Sequence, residues 1–247
     1  MMELASLDAR QVVTLLAISL VAGIVRGFSG FALSAVVMAA ALPLLPPAAL
    51  IPICWMMEVA ASALLVRGGM ADADRRLVLT LLGGTLVGTP LGLWLTTTLD
   101  VELAKAVALG ALVVFAVMQL LGLRLIFLAT AAGLTVAGLL AGLVTGLANL
   151  GGMVVALVVL ALRHPAREMR GSLVLFLVGS QALTFGWLLA YGLLDAISLA
   201  RGALLVPAAM VGVLIGRAGF RPSMERWYRP ACLTLLVGLS LIGLARL

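Results

Sequence analysis

Apolar runs of nearly bilayer-crossing length follow one another from end to end of this chain. About 20 apolar residues are needed for a helix to cross the hydrocarbon core. In that core every backbone polar group must be satisfied internally, which leaves only helices and closed barrels. A barrel would show short segments of alternating polarity, whereas the runs here are continuous. Only 11% of the 247 residues are charged and 64% are hydrophobic, where a soluble domain carries about 25% charged residues. No polar stretch is long enough for a soluble domain. The expected fold class is an all-α polytopic membrane protein.

The basic residues behind the net charge of +6 lie in short loops between apolar runs. That placement reads as a set of topology signals rather than a nucleic-acid surface. Cys54 and Cys232 both fall in apolar segments and read as small core residues. A single histidine, His164, and no Cys/His cluster argue against a transition-metal centre, and no cofactor is expected. The first apolar run has no small-residue cleavage site, so no removable signal peptide is expected.

Ten apolar segments are expected, over 11–25, 29–44, 48–66, 77–97, 102–122, 125–144, 148–162, 171–191, 200–217 and 230–246. The first, second and seventh are short for a full span. Short, glycine-broken segments at matching places in two halves point to a transporter binding site. The halves match in this way. Gly23 pairs with Gly142, Gly27 with Gly146 and Pro46 with Pro165, each 119 positions apart, and Gly88 pairs with Gly212 and Gly92 with Gly216, 124 apart. A period this long is a duplication of five segments, not a solenoid. Residues 1–124 and 125–247 are read as two repeats forming one transmembrane domain.

Arginine distribution orients the repeats. Arg67, Arg75 and Arg76, then Arg124, then Arg163, Arg167 and Arg170, then Arg217, Arg221, Arg226 and Arg229 mark four cytoplasmic loops by the positive-inside rule. Counting spans then puts both termini outside a plasma (inner) membrane. Repeat one starts outside and repeat two inside, so the repeats are of inverted topology. Each is a short-helix hairpin followed by three transmembrane helices.

In each repeat the first two segments meet at a glycine-rich joint, Gly23 to Phe31 (GIVRGFSGF) and Gly142 to Gly152 (GLVTGLANLGG). If the hairpins are re-entrant, the joints lie near the midplane; if both segments span, the joints lie at a surface. The short lengths favour the first arrangement. A helix starting after each joint would present free N–H groups and its positive dipole end, an anion site. Gly30-Phe31 and Gly151-Gly152 would supply those groups. Arg26 adds a full charge and a planar fork for an oxyanion, and Ser29 and Asn149 add hydrogen-bonding side chains. The candidate substrate-binding residues are therefore Arg26, Gly27, Phe28, Ser29, Gly30, Phe31, Asn149, Leu150, Gly151 and Gly152. The competing reading has Arg26 snorkelling to the headgroups and the glycines only packing helices. Repeat two has Thr145 where Arg26 stands, so a charge-based site is asymmetric.

Glu58 is an acidic residue midway through a span, and a step of 123 positions aligns it with Gln181. It could carry a coupled proton, neutralise Arg26, or make a structural contact. Gln119, Thr85, Thr89 and Thr184 read as interhelical hydrogen bonders. The string Gly27-Phe28-Ser29-Gly30 also occurs in intramembrane serine proteases, but a serine nucleophile needs a base in reach, and His164 lies in a basic loop. Leu82 to Gly88 is glycine-rich yet follows no strand and has no P-loop lysine.

The two joints, each shortly before a proline-containing turn (Pro43, Pro46 and Pro47; Pro165), resemble the duplicated motifs of the TauE/SafE family of sulfite and organosulfonate exporters. The spans with Gly88 and Gly92 and with Gly212 and Gly216 are similar to helices of that family. The first joint departs from the pattern, with Phe31-Ala32 where the family has more glycine. The resemblance covers nearly the whole chain and implies a secondary transporter that exports a small sulfur-containing anion across the cell membrane. An uncoupled anion channel, an importer and an intramembrane enzyme are the alternatives. Besides lipid, the expected partner is a small sulfur oxyanion, with proton coupling through Glu58 as one route; nucleic acid is not a partner.

Overall fold

The computed structural model describes residues 7–65, 73–123, 127, 130–162, 166–219 and 225–246. Among them ten helices form in the expected order: α1 (Ala9–Ser29), α2 (Leu33–Ala41), α3 (Pro47–Leu65), α4 (Arg75–Thr98), α5 (Val101–Leu120), α6 (Ala131–Ala148), α7 (Gly151–Ala161), α8 (Ala166–Ala190), α9 (Ala196–Gly219) and α10 (Glu225–Leu244). Seven of them are long and apolar enough to cross a membrane. The chain is an all-helical, multi-pass membrane protein. Arg67, Arg124, Arg163, His164, Pro165 and Arg221 lie outside the described residues.

Polar residues mark the helix starts. Asp74 accepts from the amides of Arg76 and Leu77 ahead of α4, Asp100 from Leu103 ahead of α5, and Thr130 from Gly133 ahead of α6. Each satisfies a first-turn N–H that has no intrahelical acceptor.

The first segment is not short. α1 runs for 21 residues, through Gly23 and Gly27, and stops only at Gly30. At 1.5 Å per residue that is about 31 Å, a full span. Likewise α6 continues through Gly142 and Gly146 to Ala148. The glycines lie inside these helices because a neighbouring backbone occupies the space a side chain would need. A Cβ on Gly23 would lie 2.0 Å from the Ala209 carbonyl oxygen, and one on Gly212 would lie 2.1 Å from that of Leu20. A Cβ on Gly88 would lie 2.1 Å from the Leu139 oxygen, and one on Gly146 would lie 2.3 Å from that of Thr89. These are small-residue crossings of the kind that let membrane helices touch backbone to backbone. They join α1 to α9 and α4 to α6, the two most extensive helix pairs.

The packing exchanges partners between α1–α5 and α6–α10. The first helix of each group lies on the fourth of the other, while α3 meets α8 and α5 meets α10. Two of the expected interhelical hydrogen bonds are present: Thr85 Oγ1 donates to the Gly138 carbonyl at 3.2 Å and Gln119 Nε2 to that of Met153 at 3.0 Å. Thr89 instead bonds within its own helix at 2.8 Å, and Thr184 Oγ1 has no partner among the described residues.

The two short helices sit at the centre. α2 has 9 residues and α7 has 11, about half a bilayer each at 1.5 Å per residue. Leu33 to Ala39 and Met153 to Val158 are all buried. Both sequences are apolar on every side, which suits a helix wrapped on all sides by others.

Candidate functional site

Two short breaks in the backbone build the site. In the first, Gly30 has φ 77° and Ala32 φ 75°; in the second, Asn149 has φ 54°. Left-handed conformations of this kind end α1 and α6 and turn the chain back into α2 and α7. The breaks are later and tighter than the glycine pattern suggests. The first turns of α2 and α7 both line one small cavity, of about 20 Å³. Arg26, Phe31, Ser34 and Glu58 line it from one side, and Asn149, Leu150, Gly151, Gly152 and Gln181 from the other.

Arg26 does not snorkel. It is only 2% exposed, although it lies in the last turn of α1. Its Nη2 lies 3.2 Å from Glu58 Oε2 and 3.3 Å from Ser62 Oγ, and its Nη1 donates to the Gly30 carbonyl at 2.7 Å. Ser62 is four residues after Glu58, hence on the same face of α3. A charge this deep needs a paired countercharge, and α3 supplies it. Nε of Arg26 is buried without a hydrogen-bond partner among the described residues.

Glu58 is bound from two directions. Its Oε1 accepts from the Ser34 amide at 3.3 Å and from the Ser34 hydroxyl at 3.0 Å. Its Oε2 faces Arg26 at 3.2 Å without a well-aligned hydrogen bond. The carboxylate thus sits over the first turn of α2, where amides lack intrahelical acceptors and the helix dipole favours negative charge. Asn149 Nδ2 donates to Ser34 Oγ at 3.1 Å, which ties the second break to the first. Ser34 and Ser62 were not among the sequence candidates. A serine four residues past Gly30 in an otherwise apolar run was the available signal for Ser34.

The amides at the first break differ from expectation. Gly30 N–H bonds to the Arg26 carbonyl at 2.9 Å and Phe31 N–H to Ser29 Oγ at 3.3 Å, so neither is offered to the cavity. Ser29 Oγ turns back to the Val25 carbonyl of its own helix (2.8 Å) and also meets the Phe31 carbonyl in the break. Gly27 packs on α9, where its Cβ would lie 2.5 Å from the Val213 carbonyl oxygen, and the Phe28 ring reaches towards Gly219. Gly27, Phe28 and Ser29 therefore do not line the cavity. Ser29 is held by these backbone contacts, and His164, the one histidine of the chain, lies outside the described residues.

The second break keeps its donors. α7 has no side-chain cap, and the amides of Gly151 and Gly152 have no partner among the described residues. Gly151 lies so close to Thr145 that a Cβ would be 2.2 Å from Thr145 Oγ1. Gln181 lines the same cavity at 6% exposure, and its Oε1 is without a partner among the described residues. The described residues hold no cluster of metal-ligating side chains.

A buried ion pair, the first-turn amides of α7 and the Gln181 side chain thus border one cavity, inside a bundle whose longer helices can cross a membrane. Residues 15–242 match the model of the family described as sulfite exporter TauE/SafE. The chain belongs to this family. It is a family of membrane transporters, and the match takes in both breaks, Glu58 and Gln181. No curated protein and no solved structure matches the chain.

Proposed function

We propose that this chain is a secondary transporter that exports a small sulfur-containing anion, sulfite or an organosulfonate, through the cavity between the two breaks. The observation that carries the reading is the unpartnered pair of α7 amides in a cavity shared with buried Arg26. Donors left unspent in a buried place are costly unless something binds there, and these donors suit an oxyanion. The family supplies the sulfur chemistry.

The exchange of helices between α1–α5 and α6–α10 supports two inverted repeats, residues 1–124 and 125–247. Two half-length helices whose first turns line one cavity inside the bundle support a binding site between the two repeats. With the basic loops cytoplasmic, both termini face outwards from the plasma membrane. The membrane potential then suffices to drive export, at about 2.3 kcal/mol per charge per 100 mV. Proton coupling, where present, runs through Glu58.

Thermal denaturation of the purified protein with sulfite, small sulfonates or chloride tests the substrate class. A ligand at 100 times its Kd stabilises the folded state by about 2.7 kcal/mol. A rise with sulfur oxyanions but not with chloride is expected. No rise with any sulfur oxyanion withdraws the substrate assignment.

A further inference from the structure

Outside the α5–α10 pair, every close glycine approach among the described residues falls inside one of two four-helix groups. In the first, Gly23 and Gly27 lie on α9, Gly202 lies on Met56 of α3, and α2 packs on α1 and α3. In the second, Gly88 and Gly146 join α4 to α6, Gly179 lies on Leu82 of α4, and α7 packs on α6 and α8. Each group takes three helices from one half of the chain and one from the other. Backbone-to-backbone crossings leave no slack for parting within a group. The seam between the groups is different. They meet chiefly where α3 lies on α8. The cavity lies on this seam, with Arg26, Ser34 and Glu58 on one wall and Thr145, Gly151 and Gln181 on the other. Its volume of about 20 Å³ has room for about one water molecule. A sulfonate group, with a sulfur and three oxygens, needs the walls to part.

One contact holds the walls together beside the cavity. Trp55 Nε1 of α3 donates to the Gln181 carbonyl of α8 at 2.9 Å, and the Trp55 ring stacks on Phe185 with centroids 5.2 Å apart. Trp55 is three residues before Glu58 and Phe185 four after Gln181, so the contact lies one turn from the cavity on both helices. The step of 123 positions that relates Glu58 to Gln181 carries Trp55 to Val178 and Phe185 back to Ser62, so no second aromatic pair corresponds to it.

We propose that the cavity opens by movement of α1, α2, α3 and α9 as one body against α4, α6, α7 and α8 as another, and that the Trp55–Phe185 contact is the gate that closes the seam beside it. This rests on the transport reading above. The moving bodies are therefore not the two halves of the chain: α9 travels with α1, and α4 travels with α6. The glycine crossings hold each body together, and the thin α3–α8 seam is where packing gives way.

Disulfides inside the proposed bodies test the grouping, because they also join the two halves of the chain. A Cβ on Gly202 would lie 3.4 Å from Met56 Cγ, and one on Gly179 would lie 3.5 Å from Leu82 Cγ. A cysteine sulfur takes the place of that Cγ, so Met56→Cys with Gly202→Cys, and Leu82→Cys with Gly179→Cys, come within disulfide reach. Both pairs are built in the full chain carrying Cys54→Ser and Cys232→Ser and reconstituted in liposomes. Flux of sulfite and of methanesulfonate is measured oxidised and reduced, so each preparation is its own control. Mass spectrometry follows the bond through the assay, since sulfite cleaves accessible disulfides. Oxidised and reduced flux should agree within about twofold. A reversible loss of about tenfold or more on oxidation would show the halves moving against each other and overturn the grouping, with the transport reading left standing. The gate is read in detergent by the rate at which a small methanethiosulfonate labels Ala35→Cys, in the cavity wall, in the same cysteine-free chain. Trp55→Ala and Phe185→Ala should each speed that labelling by about tenfold or more, and Phe185, 43% exposed, tolerates truncation. Ala116→Cys, buried in α5, should be labelled no faster. An unchanged rate at Ala35→Cys, or equal acceleration at Ala116→Cys, overturns the gate. No flux of either anion in the parent chain overturns the transport reading and the inference with it.

Discussion

Replacing Arg26 and Glu58 singly and together asks whether the deepest charges in the bundle stabilise each other. Arg26→Met leaves the Glu58 carboxylate, about 6% exposed, with only the Ser34 amide and hydroxyl at 3.3 and 3.0 Å. Glu58→Leu leaves the guanidinium with the Gly30 carbonyl at 2.7 Å and the Ser62 hydroxyl at 3.3 Å. Breaking a buried pair from one side costs about 3–5 kcal/mol, because an uncompensated charge remains. The double variant buries no charge. It strands the Gly30 carbonyl and the Ser34 donors, at about 1–3 kcal/mol for each unmet group. Two independent changes would sum to about 6–10 kcal/mol. A double variant costing less than about 6 kcal/mol, the lower end of that sum, therefore implies a favourable coupling between the two side chains. The assay is the denaturation midpoint of all four proteins in one detergent. Each single change should lower Tm by about 6–20 °C at 2–4 °C per kcal/mol for a chain of this size, and the double change should lower it by less than the sum of the two. Single losses below about 1 kcal/mol, the value of a solvated pair, would refute the reasoning, as would strict additivity.

Two neighbouring glycines should respond to alanine with opposite signs. At Gly83 a Cβ meets nothing within 4 Å, so Gly83→Ala should raise stability by about 0.4–1 kcal/mol. At Gly84 it would lie 2.5 Å from the Leu139 amide nitrogen, so Gly84→Ala should destabilise by about 1–3 kcal/mol through overpacking of α4 on α6; matching midpoints would refute the crossing. Asp195 starts α9, and its hydrogen bonds from Ser198 hold its carboxyl below the usual range. A depressed folded-state pKa adds stability above the unfolded value near 4, and that stability disappears as pH falls through the lower folded value. Asp195→Ala should therefore cost about 0.5–2 kcal/mol at neutral pH and less in acid, and a loss independent of pH would contradict it. If Glu58 carries a coupled proton, Glu58→Gln should flatten the pH dependence of flux; equal pH sensitivity would leave Glu58 a structural role.

The number and order of the helices were legible because each is a continuous apolar run between polar or proline-containing turns. The glycine correspondences were legible too, but their meaning was not. Gly23, Gly27, Gly142 and Gly146 look like hinge residues in the sequence, and in the fold they are contact points for α9 and α4. A glycine that bends a chain and one that admits a neighbouring backbone are the same residue; only the partner helix distinguishes them. Hence α1 ends after Ser29 instead of at Val25. Arg26 and Glu58 were visible as isolated charges. Their pairing was one of several options, since 32 positions separate them, and so was the escape of Arg26 to the surface. Ser34 drew no notice because its value comes from Glu58 and Asn149, which lie on other elements. The difference between the two breaks, one closed by a carboxylate and one with unspent amides, depends on where Glu58 and Gln181 point, which residue types alone do not state.

The most direct test of the central claim is flux of sulfite and a radiolabelled small sulfonate in proteoliposomes containing the parent chain or Gln181→Met, with stability measured on the same preparations. Gln181 Oε1 makes no hydrogen bond among the described residues, so removing the amide should leave stability unchanged or raise it by up to about 1–3 kcal/mol, the cost of an unmet buried polar group. The account predicts saturable flux in the parent and a loss of about tenfold or more in an equally stable variant. Saturable flux that is undiminished in Gln181→Met would place the anion path elsewhere, and no flux above empty liposomes in the parent would contradict sulfur-anion transport itself.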